Sequence, residues 1–262
     1  MTAGATAPLS RSRAGTPEAE TDRDPLVPRP IDLPTTVPLD PSADLSGLDG
    51  AKILAAPDDP EQWPAWRAAI DRWAVEARAR LSYDDAAYRD PAARWTQTAW
   101  SVALMWLWDE ELYDHAAQGF TVQRFLDRTA ERFGALDAVV LWHAYPVIGI
   151  DPRNQFDYYR DIPDLAGLVE QFHRRGVRVF LDYNPWDTGT RRATGTDAEE
   201  CAALIRDTGA DGLFLDTLKS GAPGLVAALQ DLDRPIALEG ESTVSLERIV
   251  DHTLSWAQWF AD

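Results

Sequence analysis

Short apolar segments recur in the second half of the chain, and amphipathic helical patterns that end in glycine separate them. Each segment is apolar almost without interruption, which is typical of strands covered on both faces of a parallel sheet. The glycines at three helix ends, Gly134, Gly176 and Gly209, allow the left-handed backbone that closes a helix. The pattern predicts strands at residues 138–144, 177–183, 211–216 and 235–239, and helices at residues 121–133, 164–175, 197–208 and 222–231.

Two further strands and a leading helix follow from the periodicity at the ends of this array. Apolar residues alternate through residues 96–108, which predicts a first strand, and residues 253–260 predict a sixth. Upstream, residues 61–79 have the spacing of an amphipathic helix. We expect three of its tryptophans to pack against the exterior of the strand array: Trp63, Trp66 and Trp73.

The order of strands and helices predicts an α/β protein with a (β/α)8 TIM-type barrel. A dinucleotide-binding fold is less suitable, because no Gly-x-Gly-x-x-Gly sequence follows an early strand. A complete barrel takes about 250 residues, whereas about 165 follow the start of the first predicted strand, so about six βα units fit. We therefore expect a C-terminally truncated barrel over residues 95–262, preceded by a helical lead-in over residues 51–94 and a disordered, proline-rich tail over residues 1–50.

Composition supports the predicted tail and narrows the classes of partner. The first fifty residues hold eight of the 18 prolines and show no hydrophobic period, which is typical of chain segments that do not fold alone. The formal net charge of -18 argues against nucleic acid and anionic membranes as partners, since both require a basic surface. No segment resembles a secretory signal or a membrane span, so a cytoplasmic location is expected.

Polar and aromatic residues accumulate where the predicted strands end. Parallel strands of a barrel end on one rim, so these side chains are expected to share one site. Carboxylates and amides can hold sugar hydroxyls, and flat aromatic rings can cover the apolar face of a pyranose. The candidates in chain order are Trp142, His143, Asp182, Asn184, Trp186, Asp216, Lys219, Glu239, Glu241 and, on the sixth strand, Trp256.

Three of these strand ends resemble motifs of known enzymes. The run Gly209-Ala210-Asp211-Gly212-Leu213-Phe214-Leu215-Asp216-Thr217-Leu218-Lys219 looks like the fourth-strand motif of the alpha-amylase family and related TIM-barrel glycoside hydrolases. Glu239-Gly240-Glu241 looks like their fifth-strand acid motif, and Asp182-Tyr183-Asn184 is similar to their third-strand motif. The wider run from Trp95 onward resembles an uncharacterised bacterial family of this superfamily, related to barrels of the alpha-amylase and alpha-galactosidase types. Phe214 departs from the pattern, because alpha-amylases have an arginine there, and this argues against amylase-type specificity.

The resemblance implies a retaining glycoside hydrolase. Asp216 would be the nucleophile on strand four, and a glutamate on strand five would be the acid/base. Glu239 and Glu241 have the same parity along the strand, so alternation cannot separate them. The Gly-Glu order favours Glu241, and Glu239 would then bind the sugar or orient its neighbour. The other candidates would bind a carbohydrate substrate: Trp142, His143, Asp182, Asn184, Trp186, Lys219 and Trp256. No metal ion or other cofactor is expected.

Two other functions remain open at this point. Asp182, Asp216 and Glu239 stand where enolase-like barrels hold Mg²⁺ with three carboxylates, although the chain has no lysine pair on strand two and no capping domain. The other alternative is a non-catalytic carbohydrate-binding or scaffold protein. Structural roles also compete with functional ones, since Asp216 could cap a helix, His143 could be a satisfied core residue and the tryptophans could be packing residues.

Overall fold

Ten β-strands and seven α-helices succeed one another along the part of the chain that the structure describes. The computed structural model describes residues 35–51, 53–144, 152–185, 193–218, 220–242 and 244–258. The strands are β1 (Thr35–Thr36), β2 (Leu54–Ala55), β3 (Val102–Trp106), β4 (Tyr113–Asp114), β5 (Gly119–Phe120), β6 (Ala138–Trp142), β7 (Arg178–Tyr183), β8 (Gly212–Leu215), β9 (Ala237–Ser242) and β10 (Leu254–Gln258). The helices are α1 (Trp63–Arg80), α2 (Ala86–Arg89), α3 (Val122–Phe133), α4 (Gln155–Arg160), α5 (Leu165–Arg174), α6 (Asp197–Thr208) and α7 (Pro223–Gln230).

Six of the strands form one sheet in the order β3–β6–β7–β8–β9–β10. Every neighbouring pair in this sheet is parallel, and the spatial order of its strands is their order along the chain. The sheet is curled into an open half-barrel, and within the described residues β3 and β10 are its two edges. The predicted α/β class and the predicted parallel, adjacent strands are therefore confirmed.

The two faces of this sheet are packed differently. One face is covered by α3, α5, α6 and α7 and carries most of the buried core, including Leu141, Leu181 and Leu213. The opposite face, which we call the inner face, carries a smaller cluster built on Phe180 and Phe214, with side chains from both edge strands packed against it. Successive residues of a strand point to opposite faces. Asp182 and Asp216, two residues after those phenylalanines, therefore belong to the inner face.

Helix α6 begins and ends at the predicted residues because both of its ends carry strong local signals. Thr196 and Glu199 form a capping box at the N-terminus, in which each side chain accepts a hydrogen bond from the other residue's backbone N–H. At the C-terminus Gly209 is left-handed, with φ of 76°. The other predicted helices and strands of the central array agree with α3, α5, α7, β6, β7 and β8 to within two residues. Among the described helices, none combines the length and the apolar character needed to cross a membrane.

Two predicted strands differ in length from the observed ones. The first predicted strand, residues 96–108, is too long, because β3 covers only Val102–Trp106. Its first three residues belong to a 3-10 helix over residues 91–98, which Pro91 and the side chain of Asp90 start. The fifth predicted strand is too short, because β9 continues from Ala237 to Ser242. The last three residues of β9 are small or polar, and an apolar pattern cannot predict them. Helix α4 and the β4–β5 hairpin were not predicted either, because each is too short to show a period.

Residues 35–50 differ from the predicted tail. They pair β1 with β2 and bury Leu45 and Leu48 against α1. Asp49 accepts a hydrogen bond from the indole of Trp73 at 2.9 Å and forms an ion pair with Arg80 at 2.6 Å. The predicted tail therefore extends too far. The apolar residues of this segment pack singly against a helix and show no period of their own, so the sequence pattern did not reveal them. Residues 1–34 lie outside the described residues.

The lead-in tryptophans also pack differently from the prediction. Trp66 and Trp73 contact the small cluster of residues 37–48 and α1, rather than the exterior of the curled sheet. Trp63 is 40% exposed, and its indole N–H donates to the carbonyl of Pro57. The helix thus uses its aromatic residues to hold the N-terminal segment.

Asp211 ties three elements together at the N-terminal end of the sheet. Its carboxylate lies 2.7 Å from Nε2 of His173 and accepts hydrogen bonds from Arg178 at 2.8 Å and from the backbone N–H of Val179 at 2.9 Å. Burial alone would raise the pKa of Asp211, but these hydrogen bonds hold it below its usual value of 3.8.

Replacing Asp211 by Asn is expected to lower the free energy of unfolding by about 2 kcal/mol at neutral pH, because three donors, including the buried N–H of Val179, lose a charged acceptor. A carboxylate with a lowered pKa stabilises the fold above its unfolded pKa, and this stabilisation is lost as the pH falls through the folded pKa. The difference between wild type and Asp211→Asn should therefore shrink as the pH falls below 3.8. Urea denaturation at several pH values measures it. The exposed Asp207→Asn is the matched control, and an equal loss in both variants would contradict the assignment.

Candidate active site

The carboxyl ends of β7, β8 and β9 bring three of the predicted site residues together. Asp216 directly follows β8, and the pairing of Leu215 with Gly240 places it beside Glu241 of β9. On its other side, Nδ2 of Asn184 donates a hydrogen bond to Oδ2 of Asp216 at 3.0 Å. Asp216 is 3% exposed. A buried carboxylate therefore stands at the centre of the rim, with a neighbour on each adjoining strand.

Asp216 and Glu241 lie close enough for the carboxyl group of Asp216 to affect the pKa of Glu241. Burial raises the pKa of Glu241, and the hydrogen bond and negative charge of Asp216 raise it further. The backbone N–H of Thr217 donates to Oε2 of Glu241 at 2.6 Å and acts in the opposite direction. On balance the pKa of Glu241 is raised above its usual value.

The turn after Asp216 has a strained backbone. Thr217 has φ of 61°, a left-handed conformation that a β-branched side chain rarely adopts. This conformation directs the N–H of Thr217 at Glu241. A second residue, Ala144, is left-handed with φ of 57° immediately after His143. Backbone strain of this kind persists where the surrounding structure fixes it, and it concentrates at functional sites.

His143 and Asp182 form a buried pair next to this centre. Nε2 of His143 lies 2.9 Å from Oδ2 of Asp182, and both side chains are fully buried. Tyr159 of α4 supports the pair from behind, because its hydroxyl accepts from the backbone N–H of Asp182 at 2.9 Å and donates to the carbonyl of Leu141 at 2.6 Å. The hydroxyl thus fixes the ends of two neighbouring strands, β6 and β7, to each other.

Helix α4 also fixes Asn184, through Gln155. Nε2 of Gln155 donates to the backbone carbonyl of Asn184 at 2.8 Å, and Oε1 accepts from the backbone N–H of Asn184 at 3.1 Å. Asn154 caps the helix by accepting from the backbone N–H of Asp157. Sequence reasoning missed the structural roles of Gln155, Tyr159 and Thr217. The capping pattern of Asn154 and Asp157 was the available signal for α4, whereas nothing in the sequence marks Tyr159 or the conformation of Thr217.

Glu239 lies on the same face as Glu241, two residues earlier along β9. It pairs in register with Phe214 of β8 and Leu254 of β10, whereas Glu241 stands two residues nearer the strand end. Glu239 is 2% exposed. Burial raises the pKa of Glu239 to about 7, and a hydrogen bond from the indole of Trp256 opposes this shift in part. The two glutamates therefore occupy separate environments, and Glu241 is the one that contacts Asp216.

Two of the tryptophans predicted to bind substrate, Trp142 and Trp256, lie on the inner face of the sheet. Trp142 is half-buried at the end of β6, in register with Trp106 of β3, which is 43% exposed. The ring of Trp256 packs on Phe214 with centroids 4.6 Å apart, so Trp256 contributes to packing on the inner face. Trp186 and Lys219, which were also predicted to bind substrate, lie outside the described residues.

The three carboxylates of the enolase-like alternative are not arranged as one metal site. Asp182 pairs with His143, Asp216 contacts Asn184 and Glu241, and Glu239 is directed at Trp256. In the ranges that the structure describes, no three His, Cys, Asp or Glu side chains are grouped as metal ligands would be.

Replacing Glu239 by Gln is expected to remove one component of the pH dependence of stability. A carboxyl whose pKa rises from 4.5 to about 7 on folding stabilises the fold most below pH 4.5, and this contribution is lost as the pH rises to about 7. The stability of Glu239→Gln relative to wild type should therefore increase between pH 5 and pH 8, by up to about 3 kcal/mol. Urea denaturation measures it, with the exposed Glu247→Gln as control. An unchanged difference across this pH range would show that Glu239 titrates normally.

The site contains two neighbouring carboxyl groups, of which Glu241 has a raised pKa, surrounded by amide and imidazole groups that can hold hydroxyls. Such a pair can attack a carbon atom and transfer a proton in the same step. Comparison with protein-family models found no match for this chain. No curated protein matches it either. The function is therefore inferred from the geometry of the site.

Proposed function

We propose that this protein is a glycoside hydrolase that acts with retention of anomeric configuration. The observation that carries the proposal is the placement of the buried Asp216 at the end of β8 beside the half-buried Glu241 of β9, whose pKa is raised by burial and by Asp216. Glycosidases that retain configuration need one ionised carboxylate as the nucleophile and one protonated carboxyl as the acid. The pair supplies both from neighbouring strands.

The two groups divide the reaction between them. Oδ of Asp216 attacks the anomeric carbon while the bond to the leaving oxygen breaks, and Glu241 gives its proton to that oxygen. The product of this step is a glycosyl ester of Asp216 and an ionised Glu241. Glu241 then takes a proton from a water molecule, whose oxygen attacks the anomeric carbon and releases Asp216.

The spacing of the pair favours retention over inversion. Inverting enzymes keep their carboxyl groups about 6.5–9.5 Å apart to admit a water molecule, whereas retaining enzymes hold them about 5–5.5 Å apart. Asp216 and Glu241 stand side by side on adjacent strands, which lie about 4.8 Å apart in a sheet, so their placement suits the shorter separation. A sugar that enters the site would contact both carboxyl groups from the same side, at the rim of the sheet.

Neighbouring groups supply the contacts that a carbohydrate substrate needs. Asn184 is fixed by Gln155 and already holds Asp216, so it can bind a hydroxyl next to the reacting carbon. The buried His143–Asp182 pair offers a further polar contact at the next strand end. Trp142 and Trp106 provide partly exposed indoles on the inner face. The curled parallel sheet supports a TIM-type (β/α)8 barrel as the parent architecture of this site.

A panel of aryl glycosides, differing in sugar and anomer, tests the proposal. We expect hydrolysis of at least one of them, with the first-formed product having the anomeric configuration of the substrate by proton NMR. Activity should survive EDTA, since no step uses a metal ion. A first product of inverted configuration would overturn the mechanism. Carbohydrate binding without turnover in the same panel would instead support the non-catalytic alternative.

A further inference from the structure

A cleft lies on the inner face, between the two edges of the curled sheet. It has a volume of 450 Å³, within the range of small-molecule sites. One side is formed by residues 96–102, which lead into β3, and the other by residues 253–256 of β10. Glu239 of β9 also lines it, whereas Asp216 and Glu241 are not among its described lining residues. The cleft is therefore distinct from the proposed catalytic pair.

The carboxyl group of Glu239 lies at the wall of this cleft. The side chain is almost completely buried, and Oε2 has no hydrogen-bond partner among the described residues. The indole of Trp256 supplies the hydrogen bond that the carboxyl group does receive. Buried polar groups in proteins are almost always paired, so an unpaired buried oxygen in a residue that lines a cavity indicates a missing partner.

The described lining holds no positive charge that would keep Glu239 ionised at neutral pH. Besides Glu239, the described lining consists of uncharged residues: Thr96, Gln97, Ala99, Trp100, Val102, Thr253, Leu254, Ser255 and Trp256. A buried carboxylate is stable only when a cation or a full set of hydrogen bonds compensates it. A ligand with a positive charge would supply the first of these.

Two tryptophans make the cleft suitable for one class of cation. Trp100 and Trp256 both line it, and Trp100 is 87% exposed. Indole faces attract organic cations more strongly than other aromatic rings do. A metal ion would need several oxygen ligands, whereas an alkylammonium group needs one carboxylate and apolar, aromatic walls.

We propose that this cleft binds the ammonium group of an organic cation, with Glu239 as the counter-ion and the indoles of Trp100 and Trp256 as the walls. The proposal does not depend on the glycosidase activity. It concerns binding at a separate set of residues and is tested without a reaction.

Titration with choline, compared with its uncharged isostere 3,3-dimethylbutan-1-ol, isolates the role of the charge. Calorimetry on the whole chain should give a Kd for choline at least about tenfold lower than for the isostere. Glu239→Gln should weaken choline binding by about tenfold, to the level of the isostere, because it keeps the shape of the side chain and removes its charge. Trp100→Ala should weaken choline binding as well. Glu247→Gln, on the exposed surface, should have no effect.

Several outcomes would overturn the proposal. Equal affinity for choline and its isostere would indicate an apolar cleft without charge recognition. Unchanged choline binding in Glu239→Gln, or no measurable binding of choline to wild type, would reject the site. Tighter binding of glucose than of choline in the same cleft, abolished by Trp100→Ala, would assign it to neutral sugars. Thermal unfolding of Glu239→Gln and Trp100→Ala establishes that both variants are folded.

Discussion

Asp216→Ala is expected to lower kcat on aryl glycosides by at least about 10⁴-fold, because the covalent step loses its nucleophile. Sodium azide should restore turnover, since a small anion can enter the space that the carboxylate leaves and attack the anomeric carbon directly. Rescue by azide should yield a glycosyl azide of inverted configuration, because only one displacement then takes place. Proton NMR of the product identifies the anomer.

Two controls make this result specific. Asp207→Ala removes an exposed carboxylate of α6 and should leave kcat unchanged. Asp216→Asn keeps a partner for the amide of Asn184 and should be equally inactive, which separates loss of the nucleophile from loss of structure. If Asp216→Ala retained full activity, the glycosidase proposal as a whole would have to be abandoned.

Glu241→Ala is expected to reduce turnover according to the leaving group of the substrate. Substrates with acidic phenol leaving groups need little protonation and should retain most of their first-step rate, whereas poor leaving groups should lose about 10²–10⁴-fold. The pH profile should change too. Glu241 acts as an acid only while protonated, so activity falls as the pH rises through its raised pKa, and Glu241→Ala should flatten this basic limb.

Glu239→Gln is the comparison variant that separates the two possible assignments of the acid. Glu239 lies beside Phe214 and is hydrogen-bonded by Trp256, so its replacement should not discriminate between leaving groups. If Glu239→Gln showed the leaving-group dependence and Glu241→Ala did not, the acid would be Glu239. Kinetics on the same aryl series with both variants distinguishes the two assignments.

The repeated units of the fold could be predicted because local and long-range signals coincide in them. Thr196 and Gly209 mark the two ends of α6, and the buried strands that follow the helices are apolar throughout. The start of the first strand was predicted too early. Apolar residues alternate as in a strand only from Trp100 onward, whereas residues 96–98 end a 3-10 helix that Pro91 and Asp90 start. Residues 35–50 were predicted as a tail because their few apolar side chains are stabilised only by contact with α1.

The site could be predicted as a set of residues but not as a geometry. Asp216 and the two glutamates were identified from their positions at strand ends. Their parity is the same, however, and only the register of β8 against β9 places Glu241 beside Asp216. The left-handed turn at Thr217 and the hydroxyl of Tyr159 depend on contacts between distant segments, which a single sequence does not reveal.

The strand order of the sheet makes the site a chain of nearest neighbours. His143 contacts Asp182 across β6 and β7, Asn184 contacts Asp216 across β7 and β8, and Asp216 contacts Glu241 across β8 and β9. Residues in contact interact energetically, whereas separated residues contribute independently to within about 0.5 kcal/mol. Exchange of the βα unit that carries His143 would also exchange Gln155 and Tyr159 of α4, which hold Asn184 and Asp182 of the next unit. The proposed substrate contacts of these two units would therefore change together, whereas Asp216 and Glu241 lie on units that the exchange leaves in place.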